Sequence, residues 1–356
     1  MSASTETRVR SRGRRLAVFL LTGLLGIGLA VALAFGVSFF LRPLATLEVL
    51  GRWALRGAGL EPATVQGPRG PLAYWRGGSG SVVVLLHGAN DQSGSWARVV
   101  RPLRERHRLL VPDLPGHGRS APANGPLGVA DLFAGLEALL DSELSSGGAY
   151  AGPPRPPARL APHRGDAGVN PAPLAAGAAA EPVEKTILVG NSMGGWLAML
   201  YAHRHPDRVS AVVLVNGAAL RGDGSEASVN LLPRNRDEAR AAMLAVTSPK
   251  TPLAPEFVLD DLVRRAPGSP LARLLASPVE GFLLDGKLGE IATPVTLLWG
   301  EDDKVLPPAY ARRVASQLVS ARVETIARCG HVPQRECPDR LLPLLQEALG
   351  DGGAAR

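Results

Sequence analysis

The sequence predicts an α/β protein: a mostly parallel central sheet with helices on both faces and a helical cap, preceded by an N-terminal transmembrane helix. Three observations predict it. Short runs such as "SVVVLLHG", "HRLLVP", "KTILVG", "AVVLVNG" and "PVTLLWG" have the continuous apolar character of strands buried on both faces. Amphipathic stretches alternate with them, the rhythm of a parallel sheet with crossover helices. One uncharged apolar run lies near the N-terminus, ahead of all of these.

The first 15 residues carry Arg8, Arg10, Arg12, Arg14 and Arg15 against Glu6, so much of the formal net charge of +7 sits in a short basic tail. The remaining chain is only mildly basic. It has no basic stripe with interleaved aromatics, and nucleic acid is not expected as a partner. Residues 16–41, "LAVFLLTGLLGIGLAVALAFGVSFFL", exceed the roughly 20 residues that span a bilayer core. Arginines on the N-terminal flank keep the tail cytoplasmic and place the rest of the chain on the extracytoplasmic side. Ala32-Leu33-Ala34 has the form a signal peptidase accepts. The apolar run continues past it as "FGVSFFL", which suits an uncleaved anchor better than a cleaved signal.

Residues 42–70 read as a linker with at most one edge strand, because Gly and Pro interrupt any longer pattern. The body begins after them. "LAYWRGG" is a half-buried strand and "SVVVLLHG" a fully buried one; a helix around "GSWARVVRPLRER" and the strand of "HRLLVPDLPGHGRS" follow. "VADLFAGLEALLDSEL" has helical spacing. Residues 145–182 are rich in Ala, Pro and Gly and read as a disordered insertion within a first core part, 71–217. "RDEARAAMLAV" and "PEFVLDDLVRRA" fall in a helical, irregular segment, 218–291, read as a cap. A second core part, 292–350, holds one more strand-helix-strand-helix sequence.

"VGNSMGG", residues 189–195, places Ser192 between a strand and a helix in the pattern G-x-S-x-G. There a serine adopts a strained turn that lifts its Oγ above the sheet, and only glycines fit two residues to either side. A serine hydroxyl needs a base, and the base an acid to orient it. The acid candidate is Asp303 in "LLWGEDDKVLPP", preferred to Asp302 because it stands three residues after Gly300; Asp223 is a weaker alternative. His331 in "CGHVP" is the one histidine that follows the acid, hence the base. Of the others, His163 falls in the insertion, His203 and His205 on the helix after Ser192, and His107 in a charged surface run; His87, His117 and Trp96 read as structural. The N–H groups of Met193 and of Ala89 in "HGAN" are the candidate oxyanion donors. Cys329 and Cys337 either pair or lie buried as thiols, and the chain shows no metal-ligand spacing. A neutral His331 is required of a base, so a rate rising with pH from the acid side is expected.

With "LLHGAN", "DLPGHGRS", "GNSMGG", "WGEDDKVLPP" and "GHVPQRECP" in order, the sequence resembles the α/β-hydrolase fold family over residues 72–350, the insertion apart. The resemblance implies a triad of Ser192, Asp303 and His331 with Ala89 and Met193 as oxyanion hole, and no metal or organic cofactor. "HGAN" with "SMGG" resembles monoacylglycerol lipases and membrane-bound bacterial lipases and esterases. "GNSMGG" is also similar to hydrolases of carbon–carbon bonds in aromatic ring-fission products, which commonly carry Trp after the histidine where this chain has Val332. A carboxylic-ester or acylglycerol hydrolase working through an acyl-enzyme is therefore expected. C–C hydrolysis, acyl transfer and a tethered binding protein without turnover are the alternatives.

Overall fold

The computed structural model describes residues 23–144, 185–221 and 229–350. The basic tail, the start of the apolar run, the insertion with His163, and Asp223 lie outside the described residues. Strands β1 (Glu61–Gly67), β2 (Gly70–Gly77), β3 (Val82–Leu86), β4 (Arg108–Pro112), β5 (Thr186–Ser192), β6 (Val209–Gly217), β7 (Val295–Gly300) and β8 (Ala321–Ile326) form one sheet. Their order is β1-β2-β4-β3-β5-β6-β7-β8. β1 and β2 make an antiparallel hairpin, β2 runs antiparallel to β4, and pairing from β4 to β8 is parallel. Parallel strands end on one edge, so the loops after β3, β5, β6, β7 and β8 share one rim.

The apolar runs explain the layers. Side chains alternate along a strand, and here Val82, Val84 and Leu86 join one apolar layer while Val83 and Leu85 join the other. Leu297 and Trp299 divide from Leu298 in the same way. Helices α4 (Val129–Leu144), α5 (Met193–Arg204) and α9 (Pro308–Ala315) cover the first layer; α3 (Ala97–Arg104) and α11 (Pro338–Ala348) cover the second. Between β6 and β7 lie α6 (Arg236–Val246), α7 (Glu256–Arg265) and α8 (Pro270–Leu275).

Ahead of the sheet, α1 (Gly23–Leu41) is long and apolar enough to cross a membrane, with mean hydropathy 2.4, and its apolar side chains face outward. Arg42 leaves the helical region (φ −142°, ψ 63°) and Pro43 starts a second helix, α2 (Pro43–Gly57). Residues 42–70 are thus no linker; they supply a packed helix and the first strand. Gly51, which reads as a breaker in sequence, is where α2 meets another backbone: a Cβ there would lie 3.1 Å from Gly94 Cα. Leu55, fully buried, fixes α2 to the second layer. His107 also departs from expectation, being buried with Nδ1 2.8 Å from Ser81 Oγ instead of lying on a charged surface.

Two histidines brace the loops after β3 and β4. The Nε2 of His87 accepts the Leu114 N–H at 2.9 Å, and its ring meets that of His117 edge-on at 5.0 Å. Burial pushes the His87 pKa down, and burial together with the neighbouring His87 pushes that of His117 down to about 3. The folded protein therefore refuses a proton that the unfolded chain accepts near the ordinary imidazole pKa of about 6.5. The stability tied to these rings is present above that pH and is lost as pH falls below it, for His117 by about 1.4 kcal/mol per pH unit. Denaturant titrations between pH 6 and 4 should show a shallower loss in His117→Gln than in the unsubstituted chain, by about one proton; equal slopes would contradict the burial effect.

Candidate active site

β5 ends at Ser192, whose φ of +52° and ψ of −120° make it one of few non-glycine residues with positive φ among those described. Its neighbours allow the turn. A Cβ on Gly190 would lie 2.3 Å from Gly194 O, and one on Gly194 would lie 2.4 Å from Leu86 O. The end of β3 thus packs on the first turn of α5, and a Cβ on Gly88 would sit 3.2 Å from Ser192 Cβ. This brings the loop holding Ala89 beside the serine. Met193 opens α5, so its N–H belongs to the free N-terminal turn of that helix.

On the loop after β7, Asp303 is buried and fully bonded. One carboxylate oxygen accepts the Val305 and Leu306 N–H groups at 2.8 and 2.9 Å; the other meets His331 Nδ1 at 2.8 Å and the side-chain amide of Asn216. A carboxylate accepting at Nδ1 holds the ring proton there and leaves Nε2 free to accept one. Asp302, the alternative acid, instead accepts from Ser248 Oγ at 2.6 Å. Asn216, at the end of β6 with φ +48°, also accepts the Gly300 N–H at 3.0 Å, tying two strand ends to the same carboxylate.

His331 sits on the loop after β8, which is stitched on every side. Cys329 and Cys337 pair across it with Cα atoms 6.0 Å apart, resolving the alternative left open by spacing. Asn191, next to Ser192, donates to His331 O at 3.0 Å and accepts from Gln334 at 3.0 Å, which seats the histidine loop on the serine turn. The His331 N–H donates to Val246 O at 2.7 Å. Glu336, on the short helix α10 (Pro333–Glu336), accepts the Ser248 and Gly330 N–H groups, each at 2.6 Å, and the Thr251 hydroxyl. One carboxylate therefore joins the histidine loop to the segment following α6.

Ser192, His331 and Ala89 line one cavity of about 1010 Å³. Its other walls include Met243, Val246, Val258 and Leu262 from α6 and α7. That volume is at the upper end of the roughly 300–1,000 Å³ usual for ligand pockets. Sequence reasoning missed Asn216, Asn191, Gln334 and Glu336. Asn216 carried a faint signal, an asparagine before glycine at a strand end, where a left-handed conformation is tolerated.

Among the described residues no group of three or more His, Cys, Asp and Glu is placed to hold a metal.

A profile described as the alpha/beta hydrolase family matches residues 83–344. A human monoacylglycerol lipase is 26% identical over 341 residues, covering 89% of this chain and 90% of the lipase. A 2-hydroxy-6-oxo-6-phenylhexa-2,4-dienoate hydrolase of Burkholderia cepacia is 24% identical over 293 residues, with 77% and 90% covered. The solved structure of a membrane phospholipase A, described as a bacterial virulence factor, is similar with a TM-score of 0.66 and 26% identity, covering 94% of this chain and 99% of that one.

Removing the Glu336 carboxylate strands three donors. Glu336→Ala is expected to lower stability by roughly 2–4 kcal/mol in denaturant unfolding, and Glu336→Gln by less; an unchanged midpoint in both would show that the carboxylate carries no such bonds.

Proposed function

This chain belongs to the alpha/beta hydrolase family and is a hydrolytic enzyme, and on that premise we propose that it is a membrane-anchored serine esterase acting on carboxylic esters, acylglycerols among them. The observation that carries the reading is the buried Asp303–His331 pair seated against the strained serine turn, with His331 and Ser192 on the wall of one cavity. Ser192 Oγ attacks the ester carbonyl carbon while His331 Nε2 takes its proton. Asp303 holds the ring and stabilises the imidazolium. The N–H groups of Ala89 and Met193 receive the charge on the carbonyl oxygen. Collapse breaks the ester C–O bond, the alcohol leaves with the proton from His331, and an acyl-enzyme remains. Water then repeats the sequence in reverse roles and releases the acid.

Residues 71–217 and 292–350 form the catalytic body in this reading, and 218–291 the cap that supplies much of the apolar pocket. Residues 16–41 anchor the body on the extracytoplasmic face. The Burkholderia relative acts on a dienoate, so a ring-fission dienoate belongs in the substrate panel beside esters of graded chain length.

A fluorophosphonate probe is expected to label the protein, and Ser192→Ala to abolish both labelling and ester turnover, by roughly 10⁴-fold or more. Retention of turnover in Ser192→Ala would refute the serine mechanism.

A further inference from the structure

We propose that the cavity beside Ser192 opens sideways into the bilayer and takes the acyl chain of a lipid ester directly from the leaflet, with the end of the protein's own membrane helix as one wall. This rests on the esterase reading above and names the substrate's source. Phe39, inside the apolar run, and Leu44 and Leu47, just beyond it, line the same cavity as Ser192 and His331, together with Val258 and Leu262 of α7.

The contact between anchor and cap is built, not incidental. The rings of Phe39 and Phe40 lie 5.6 and 5.0 Å from that of Phe257. Asp261, only 3% exposed, accepts the Leu44 N–H at 3.0 Å, satisfying one of the free donors in the first turn of α2. It also pairs with Arg264 at 2.5 Å, and Arg264 reaches back to Leu41 O at 2.8 Å. Arg265 pairs with Glu48 at 2.6 Å. The end of the membrane helix, the start of α2 and α7 are thus one unit, and that unit forms one side of the cavity whose other side holds Ser192 and His331.

The outer surface of that unit has the character of a membrane interface. Leu47, Leu50 and Trp53 are exposed on α2 at a spacing of three residues, Trp53 by 67%. A short helix with an apolar stripe directly after a spanning segment lies in the plane of the headgroups, and tryptophan is favoured there. Leu253, on the cap loop between cavity-lining Pro252 and Ala254, is 57% exposed. Leu47 belongs both to the exposed stripe and to the cavity wall, so the mouth lies at the depth where acyl chains begin. A lipid passing through water loses roughly a factor of four in population for every methylene extracted; admission from the leaflet avoids that loss.

The full-length protein in phosphatidylcholine vesicles is assayed on a long-chain monoacylglycerol held in the same bilayer and on a water-soluble butyrate ester. The ratio of kcat/KM, bilayer substrate over soluble, is expected to fall roughly tenfold or more in Leu47→Glu and about threefold in Trp53→Glu, and to stay within about twofold in Leu47→Met. A ratio unchanged in both glutamate variants overturns the route. In parallel, Ser192→Ala protein is reconstituted with a phosphatidylcholine bearing a photoreactive group on its acyl chain. Crosslinks on Met243, Val258 or Leu262 are expected; crosslinks confined to residues 23–38 overturn the proposal. This second readout needs no turnover. Absence of ester hydrolysis would defeat the esterase reading, while the labelling pattern would still decide the route.

Discussion

Everything at the rim depends on one steric constraint, the close approach of three backbones around Ser192. The carbonyl of Leu86 at the end of β3, the turn after β5 and Gly217 at the end of β6 meet where Gly190, Gly194 and Gly195 leave no room for a side chain. A Cβ on Gly195 would fall 2.5 Å from Gly217 Cα. Because the strands are parallel and adjacent, this packing sets the position of the serine relative to the loops after β3 and β6 together. Backbone strain at the serine is held by the centre of the sheet, where β3 is fully buried and most of β5 and β6 is buried too.

The histidine loop is positioned by a different kind of force. Its backbone takes no part in the sheet, so hydrogen bonds and a covalent bridge do what pairing does for the serine. Asn191 ties it to the serine turn and Glu336 to the segment after α6, while the Cys329–Cys337 bond closes its base. The Asp303 loop joins the same network, since the Asp302 N–H donates to Cys329 O at 2.9 Å and the Lys304 N–H to Ala245 O. Residues 245–248 touch both loops. Placement of the histidine and placement of α6 are therefore a single problem for the fold.

The sheet was legible because strands buried on both faces need nothing but apolar side chains, and runs such as Val82–Leu86 carry that signal alone. Motif and chain order point to Ser192, Asp303 and His331 as the proposed triad, because each lies at or after the end of a strand that the topology assigns to one rim. What could not be read depends on meetings between distant segments. α2 reads as linker in the sequence because Gly51 looks like a breaker until Gly94 is brought against it. Glu336 looks like a surface glutamate until Ser248 and Thr251 arrive from the segment after α6. Asn216 gains its meaning only when β7 pairs beside β6 and delivers Asp303. Periodicity reports which face of an element is buried; it says nothing of which polar side chain will satisfy a donor many residues away.

The shared carboxylate of Asp261 has a mechanical corollary. It grips the first turn of one helix while belonging to another, and Arg264 clamps the chain one turn earlier. A globular body on a flexible tether can tumble and present any side to the lipid surface. In the membrane-anchored reading proposed above, a body pinned through α7 to the end of its spanning helix gives up that rotational freedom, so its heading is set by the fold itself.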